Sequence, residues 1–183
     1  MGIIRRKDFN VSGDQATQDV DLIDTPDKLS KFAESKRIPT LPLDVAEVAK
    51  KIGIHIEFLP LKNDLSGILY KDEKTNKWVI QVNSNHHPNR QRYTIAHELG
   101  HFCLHKHLEH IFEDHLFFRG GESSPVEWQA NDFASTILMP EDTFRDLVRS
   151  GTREVEVLAE KFGVSSLALR IRAKGLGMSG HGL

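Results

Sequence analysis

The pentapeptide His97-Glu98-Leu99-Gly100-His101 restricts what this chain can fold into more than any other stretch. An α-helix turns about 100° per residue, so positions four apart stand nearly above one another. His97 and His101 can then offer ring nitrogens to one ion, a spacing suited to zinc. Glu98, one residue on, comes near a water beside that ion without joining the ligands, which is the place of a general base. The same residues admit plainer readings. Histidines at this spacing often form a solvated helix face, and Glu98 fits one half of a surface ion pair. A metal site needs two further things: a long helix with an apolar opposite face, and a third ligand from elsewhere. A helix is expected from about Arg90 to His105, with Ile95, Leu99 and Phe102 as its core stripe.

The third ligand is expected to be Glu127, in Glu127-Trp128-Gln129-Ala130-Asn131, on a second helix bounded by Pro125 and Pro140. A catalytic zinc site typically combines three protein ligands with one open position. Asn131, one turn after Glu127, can hydrogen-bond the outer nitrogen of a histidine ligand. A cap competes with this assignment, because Ser124-Pro125-Val126-Glu127 fits a capping box in which Glu127 reaches back to the Ser124 amide. Local sequence alone favours the cap; the histidine pair favours the ligand.

The rest of the chain supplies a setting for these two helices. Its 183 residues allow one good core, or a core with a small appendage. The net charge of −2 provides no global basic field for nucleic acid. A single cysteine, Cys103, excludes an internal disulfide framework and fits a reducing, cytoplasmic setting. No apolar run reaches the roughly 18 to 20 residues of a membrane span, and Met1 to Lys7 lacks the apolar stretch of a secretory signal. Residues 1–24 are polar without an apolar period and are expected to form a flexible arm. Thr25-Pro26-Asp27 should cap a helix carrying Leu29, Phe32 and Ala33. A second helix should follow Pro42, burying Val45, Val48, Ala49 and Ile52 and stopping at Gly53. Ile54–Leu59 alternates as a half-buried strand should, and Ser66–Tyr70 and Trp78–Asn83 suggest a hairpin turning near Thr75-Asn76.

These stretches together resemble the ImmA/IrrE family of bacterial and phage metallopeptidases, which look like minimal gluzincins. The resemblance rests on Leu65–Tyr70, Trp78–Asn83, Arg90–His105 and Glu127–Pro140, in that order, and covers roughly residues 26 to 175. It implies that His97, His101 and Glu127 hold the metal, zinc with manganese or iron as alternatives, and that Glu98 is the general base. It also implies an α+β fold, with a small antiparallel sheet packed against the helices that carry the two motifs. The expected substrate is a regulatory protein, a helix-turn-helix transcriptional repressor or an antitoxin. Any DNA-binding unit is expected to be a separate protein, since only about 25 polar residues precede the core. An edge strand beside such a cleft can accept an extended substrate, and Trp78–Asn83 is the candidate. The oxyanion donor is open between Tyr70, Tyr93 and the histidines.

Beyond Gly151, two short helices around Val155–Phe162 and Leu167–Ile171 have a helix-turn-helix cadence across Gly163-Val164-Ser165. Arg170, Arg172 and Lys174 suit DNA, yet five Lys or Arg face three Asp or Glu from residue 152 onward. That excess of two argues for a pair packed on the core rather than for phosphate contacts. The expected organisation is an arm at 1–24, a peptidase core at 25–151, the helical pair at 152–175 and a tail at 176–183. His105 either lines the cleft, bonds a neighbour or sits at the surface. His107, His110 and His115 fall in a charged loop with no second metal spacing, and Cys103 is expected to be a buried, inert thiol. Two other functions compete with hydrolysis: a metal-stapled module that neutralises a repressor or toxin without cutting it, and a DNA-binding regulator using the last two helices. The sequence is silent on oligomeric state and cleavage site.

Overall fold

A computed structural model describes residues 22–62, 65–108, 111–115 and 124–178, with the backbone alone at 113–115. The expected arm, apart from Leu22 to Asp24, and the last five residues of the expected tail lie outside the described residues. Among the described residues no helix is long and apolar enough to cross a membrane.

Helix α1 (Pro26–Ser35) starts as its sequence requires, with Thr25 Oγ1 accepting from the Lys28 amide and Pro26 in the first turn. Helix α2 (Val45–Ile52) is capped by Asp44, which accepts from the Glu47 amide at 3.0 Å, and stops at Gly53. Gly53 adopts φ 95°, the left-handed conformation that ends helices most easily without a Cβ. Strands β1 (His55–Leu59), β2 (Leu65–Asp72) and β3 (Lys77–Asn83) follow. The β2–β3 turn is held by Asp72, whose carboxylate accepts from the Lys74 amide and the Thr75 hydroxyl. The long helix α3 (Pro88–His105) precedes a fourth strand, β4 (Ile111–His115), and then α4 (Pro125–Leu138). Helices α5 (Glu141–Arg149), α6 (Val155–Phe162) and α7 (Ser166–Gly175) complete the described chain.

The architecture is α+β, as expected, with the strands in the order β1-β3-β2-β4. The antiparallel expectation holds for β2 against β3 and β4, whereas β1 runs parallel to β3. Alternation in a sequence states which face of a strand is buried but not which strand lies beside it. The β2–β3 hairpin docks its second arm on β1, and the sheet becomes mixed. Trp78–Asn83 is therefore an internal strand with both backbone edges paired, not the edge strand expected. Among the described residues the edge beside β2 is β4, in a stretch whose charge and histidines read as a loop.

The inner face of the sheet, with Leu69, Ile80 and Val82, packs on α2 and α3. Phe133, Ile137, Leu138, Phe144, Leu158, Phe162 and Leu169 extend the same core through the later helices. Phe144 stacks on Phe162 with ring centres 5.5 Å apart. The final pair is latched to the middle of the molecule. Arg92 donates to the Gly163 and Phe162 carbonyls at 3.0 and 3.4 Å, and Asn89 to the Val164 carbonyl at 3.0 Å. Arg172 donates to the Met139 carbonyl at 3.1 Å, so one of the three cations considered for DNA is committed to the fold.

Candidate metal centre

Helix α3 is buried on nearly every side from Thr94 to Cys103, against the sheet on one face and α4 on another. This disposes of the solvated-face reading: His97 and Glu98 are 0% exposed and His101 1%. Three polar side chains without solvent need partners within the protein.

For the histidines, the partner is Glu127. Its two carboxylate oxygens lie 3.3 Å from His97 Nε2 and 3.2 Å from His101 Nε2, and the two Nε2 atoms are 2.9 Å apart. A tetrahedral ion with bonds of 2.0–2.1 Å has ligand–ligand edges of about 3.3 Å. One nitrogen from each ring and one Glu127 oxygen all lie within 4.8 Å of one another, close enough to share an ion, and two imidazoles with one carboxylate are a donor set that zinc favours. Among the described residues this is the one group of three or more such side chains close enough to share an ion.

The competing cap is half present. Ser124 Oγ accepts from the Glu127 amide at 3.2 Å, so the serine caps α4, but the Glu127 carboxylate turns to the histidines instead of reaching back. Local helix capping and the long-range site use different atoms of the same residue.

Two glycines set the distances. An added Cβ at Gly100 would stand 3.0 Å from the Ala130 carbonyl oxygen and 3.1 Å from Ala130 Cα. Backbone thus meets backbone where α3 crosses α4, which brings Glu127 within reach. An added Cβ at Gly67 on β2 would overlap the Thr94 methyl and stand 2.9 Å from Glu98 Oε1. Glu98 therefore points at the sheet through the space of a missing side chain. Glycine inside a strand pattern signals such a close approach, and it was the available clue to Gly67.

Electrostatics favour the form a cation would meet. Burial pushes His97 down to about 4, against the opposing pull of Glu127. Burial raises the Glu127 carboxyl, but the adjoining His101 and His97 rings outweigh it and hold the group well below the usual carboxylate range. At neutral pH the site thus carries a neutral His97 and an anionic Glu127. Asn131, one turn after Glu127 on α4, adds a smaller upward pull on His97.

Around this centre, His101 stacks on Phe112 of β4 at 4.7 Å and 21°. His105 is buried and contacts His101 and Gln129. Burial pushes the Cys103 thiol up to about 12, consistent with an inert core cysteine. Tyr70 points to the opposite face of the sheet from Gly67 and Leu69, beside Gln81 and Glu57. Tyr93 instead borders a cavity of about 460 Å³, lined also by Arg90, Asn131, Ala168 and Ile171. Of the loop histidines, His107 is exposed, while His110 and the side chain of His115 lie outside the described residues.

Comparison with known proteins identifies the family. The Peptidase_M78 family, described as the IrrE N-terminal-like domain, matches residues 49–174. The metallopeptidase ImmA of Bacillus subtilis (strain 168) is 38% identical over 87 residues, covering 43% of this chain and 46% of that protein. The radiation response metalloprotease IrrE of Deinococcus radiodurans is 32% identical over 123 residues, covering 67% of this chain and 33% of that protein. The chain thus matches less than half the length of either curated relative. The family match runs from α2 to α7 and encloses the histidine pair, Glu127 and the latched final helices, and on that extent the chain belongs to the IrrE N-terminal-like peptidase family.

Proposed function

We propose that the chain is a zinc-dependent endopeptidase that cleaves a regulatory protein, a helix-turn-helix repressor or an antitoxin. The observation that carries the reading is the gathering of His97, His101 and Glu127 within reach of one ion, with Glu98 buried at the next position of the same helix. Family membership and the names of the two relatives support a peptidase. Bound zinc supplies Lewis-acid polarisation of a carbonyl and lowers the pKa of water. Glu98 takes a proton from the attacking water and passes it to the departing amine nitrogen. Asn131 is placed to bond the outer nitrogen of His97, and β4, the edge strand beside β2 among the described residues, offers backbone pairing to an extended substrate. The cavity beside Tyr93 and Ala168 suits an apolar substrate side chain. In this reading residues 25–151 form the peptidase core and 152–175 the helical pair that backs it. A reducing cytoplasm is the proposed setting, supported by the single, buried Cys103.

The test compares new protein N-termini in cells carrying the wild type with those in cells carrying Glu98→Gln. A short set found only with the wild type, headed by a repressor or antitoxin, supports the proposal, provided the variant still binds zinc. Identical sets, while the wild type still exerts its biological effect, would mean that the protein acts by binding alone.

A further inference from the structure

His105 lies outside the donor triangle, one turn beyond His101. Its Nδ1 is 3.3 Å from His101 Nδ1, and its Nε2 is 2.9 Å from Gln129 Oε1. These two contacts form a chain that starts at the surface and ends at the centre. Gln129 is exposed on α4, two residues after Glu127, whereas His105 is 3% exposed and His101 1%.

The hydrogen-bond sense along this chain is not free. An amide oxygen only accepts, so His105 Nε2 must carry a proton to bond Gln129 Oε1. A neutral His105 then has a bare Nδ1, which can only accept. His101 must donate to it from Nδ1–H, and its own Nε2 is left bare, facing Glu127 and His97. A bare Nε2 is the atom a cation needs. With the amide turned over, every step reverses. The Gln129 NH₂ would donate to His105 Nε2, His105 would donate to His101, and a proton would occupy the ligating nitrogen. The stacked Phe112 ring fixes the His101 plane, so that imidazole has little freedom to escape the choice.

We propose that His105 and Gln129 are positioning residues: a neutral relay from the surface of α4 that presets the tautomer of His101 for metal binding. The proposal rests on the metal-site reading above. Metal-bound histidines usually give their outer N–H to a carboxylate, a carbonyl or water, and the partner here is a second histidine held by an amide. No charge is added beside the cation, and the proton order is settled before an ion arrives.

Two measurements decide it. The first is nitrogen-15 NMR of the imidazoles in the metal-free protein. His101 is expected as the Nδ1–H tautomer in the wild type and as a mixture in Gln129→Leu. The Nε2–H tautomer in the wild type, or no change in the variant, overturns the relay. The second is zinc affinity by competition with a chelator. His105→Phe should weaken binding about 10- to 100-fold, the usual loss when such an outer partner is removed. Gln129→Leu should weaken it about tenfold, the lower end of that range. Gln129→Glu, which keeps an acceptor oxygen, should retain wild-type affinity or exceed it. Purely structural variants would move urea stability and leave the tautomer alone. Should His105→Phe fail to fold, the surface variants at Gln129 still decide. Wild-type affinity in Gln129→Leu, with zinc bound normally by the wild type, overturns the relay and leaves the metal centre standing. Absence of zinc binding by the wild type overturns the metal centre, and the NMR of the metal-free protein still decides the relay.

Discussion

Replacing Gly100 by alanine tests how the two metal helices are brought together. The new methyl would stand 3.0 Å from the Ala130 carbonyl oxygen, 3.1 Å from Ala130 Cα and 3.3 Å from Phe133 Cβ. Comfortable carbon contacts begin near about 3.5 Å, so α3 and α4 must part by roughly half an ångström. The two nearest atoms are backbone, and no rotamer change relieves them. Alanine favours a helix over glycine by about 1 kcal/mol, while overpacking costs about 1–3 kcal/mol. The metal-free variant should therefore be between about 0 and 2 kcal/mol less stable than the wild type by urea unfolding. The larger effect should fall on the metal. Glu127 is carried by α4, three residues before the contact, and its distances of 3.2 and 3.3 Å to the histidines would open with the helices. Metal bonds tolerate about 0.2 Å, so zinc affinity in a chelator competition should drop about tenfold or more, roughly 1.4 kcal/mol. A variant about 1 kcal/mol more stable than the wild type, with unchanged zinc affinity, would show that the helices have room to spare and that Gly100 does not set their spacing.

Other perturbations follow from the same structure. Burial pushes His97 to about 4, whereas an unfolded histidine titrates near 6.5, so between those values the unfolded chain binds a proton that the native protein refuses. Stability of the metal-free protein should fall as pH is lowered through that window, by up to about 3 kcal/mol, and His97→Gln should flatten the slope; an equally steep slope in the variant would count against the assignment. Phe144→Ala removes a fully buried ring stacked on Phe162 and should cost about 3–5 kcal/mol in urea unfolding. A loss below about 1 kcal/mol would mean that the later helices do not share the main core.

The sequence carried the helices well because their signals are local. Thr25, Asp44, Ser124 and Ser165 each cap a helix by accepting from an amide three residues on, and Gly53 and Gly163 end theirs in the left-handed conformation. The donor set was legible for a related reason, since i and i+4 on a helix have one geometry. What escaped depends on distant neighbours. Strand β4 has a charged sequence and gains its identity from pairing with β2, and the parallel union of β1 with β3 leaves no mark on either. Helix α5 went unread because Pro140 looked like a stop. Proline at a helix start is as natural as proline after an end, and Glu141 and Asp142 suit a first turn. Gly67 matters only because Thr94 and Glu98, 27 and 31 positions later, fill the space it leaves.

The grip of Arg92 on the end of α6 joins residues 71 positions apart. A ribosome adding about 5–20 residues per second would complete all three metal donors by Glu127, then need about 2–7 s more to reach Gly163. During that interval a nascent chain holds every ligand but lacks the carbonyls that anchor the start of α3. A chain synthesised in this order holds its three candidate donors before the frame that steadies α3 is complete.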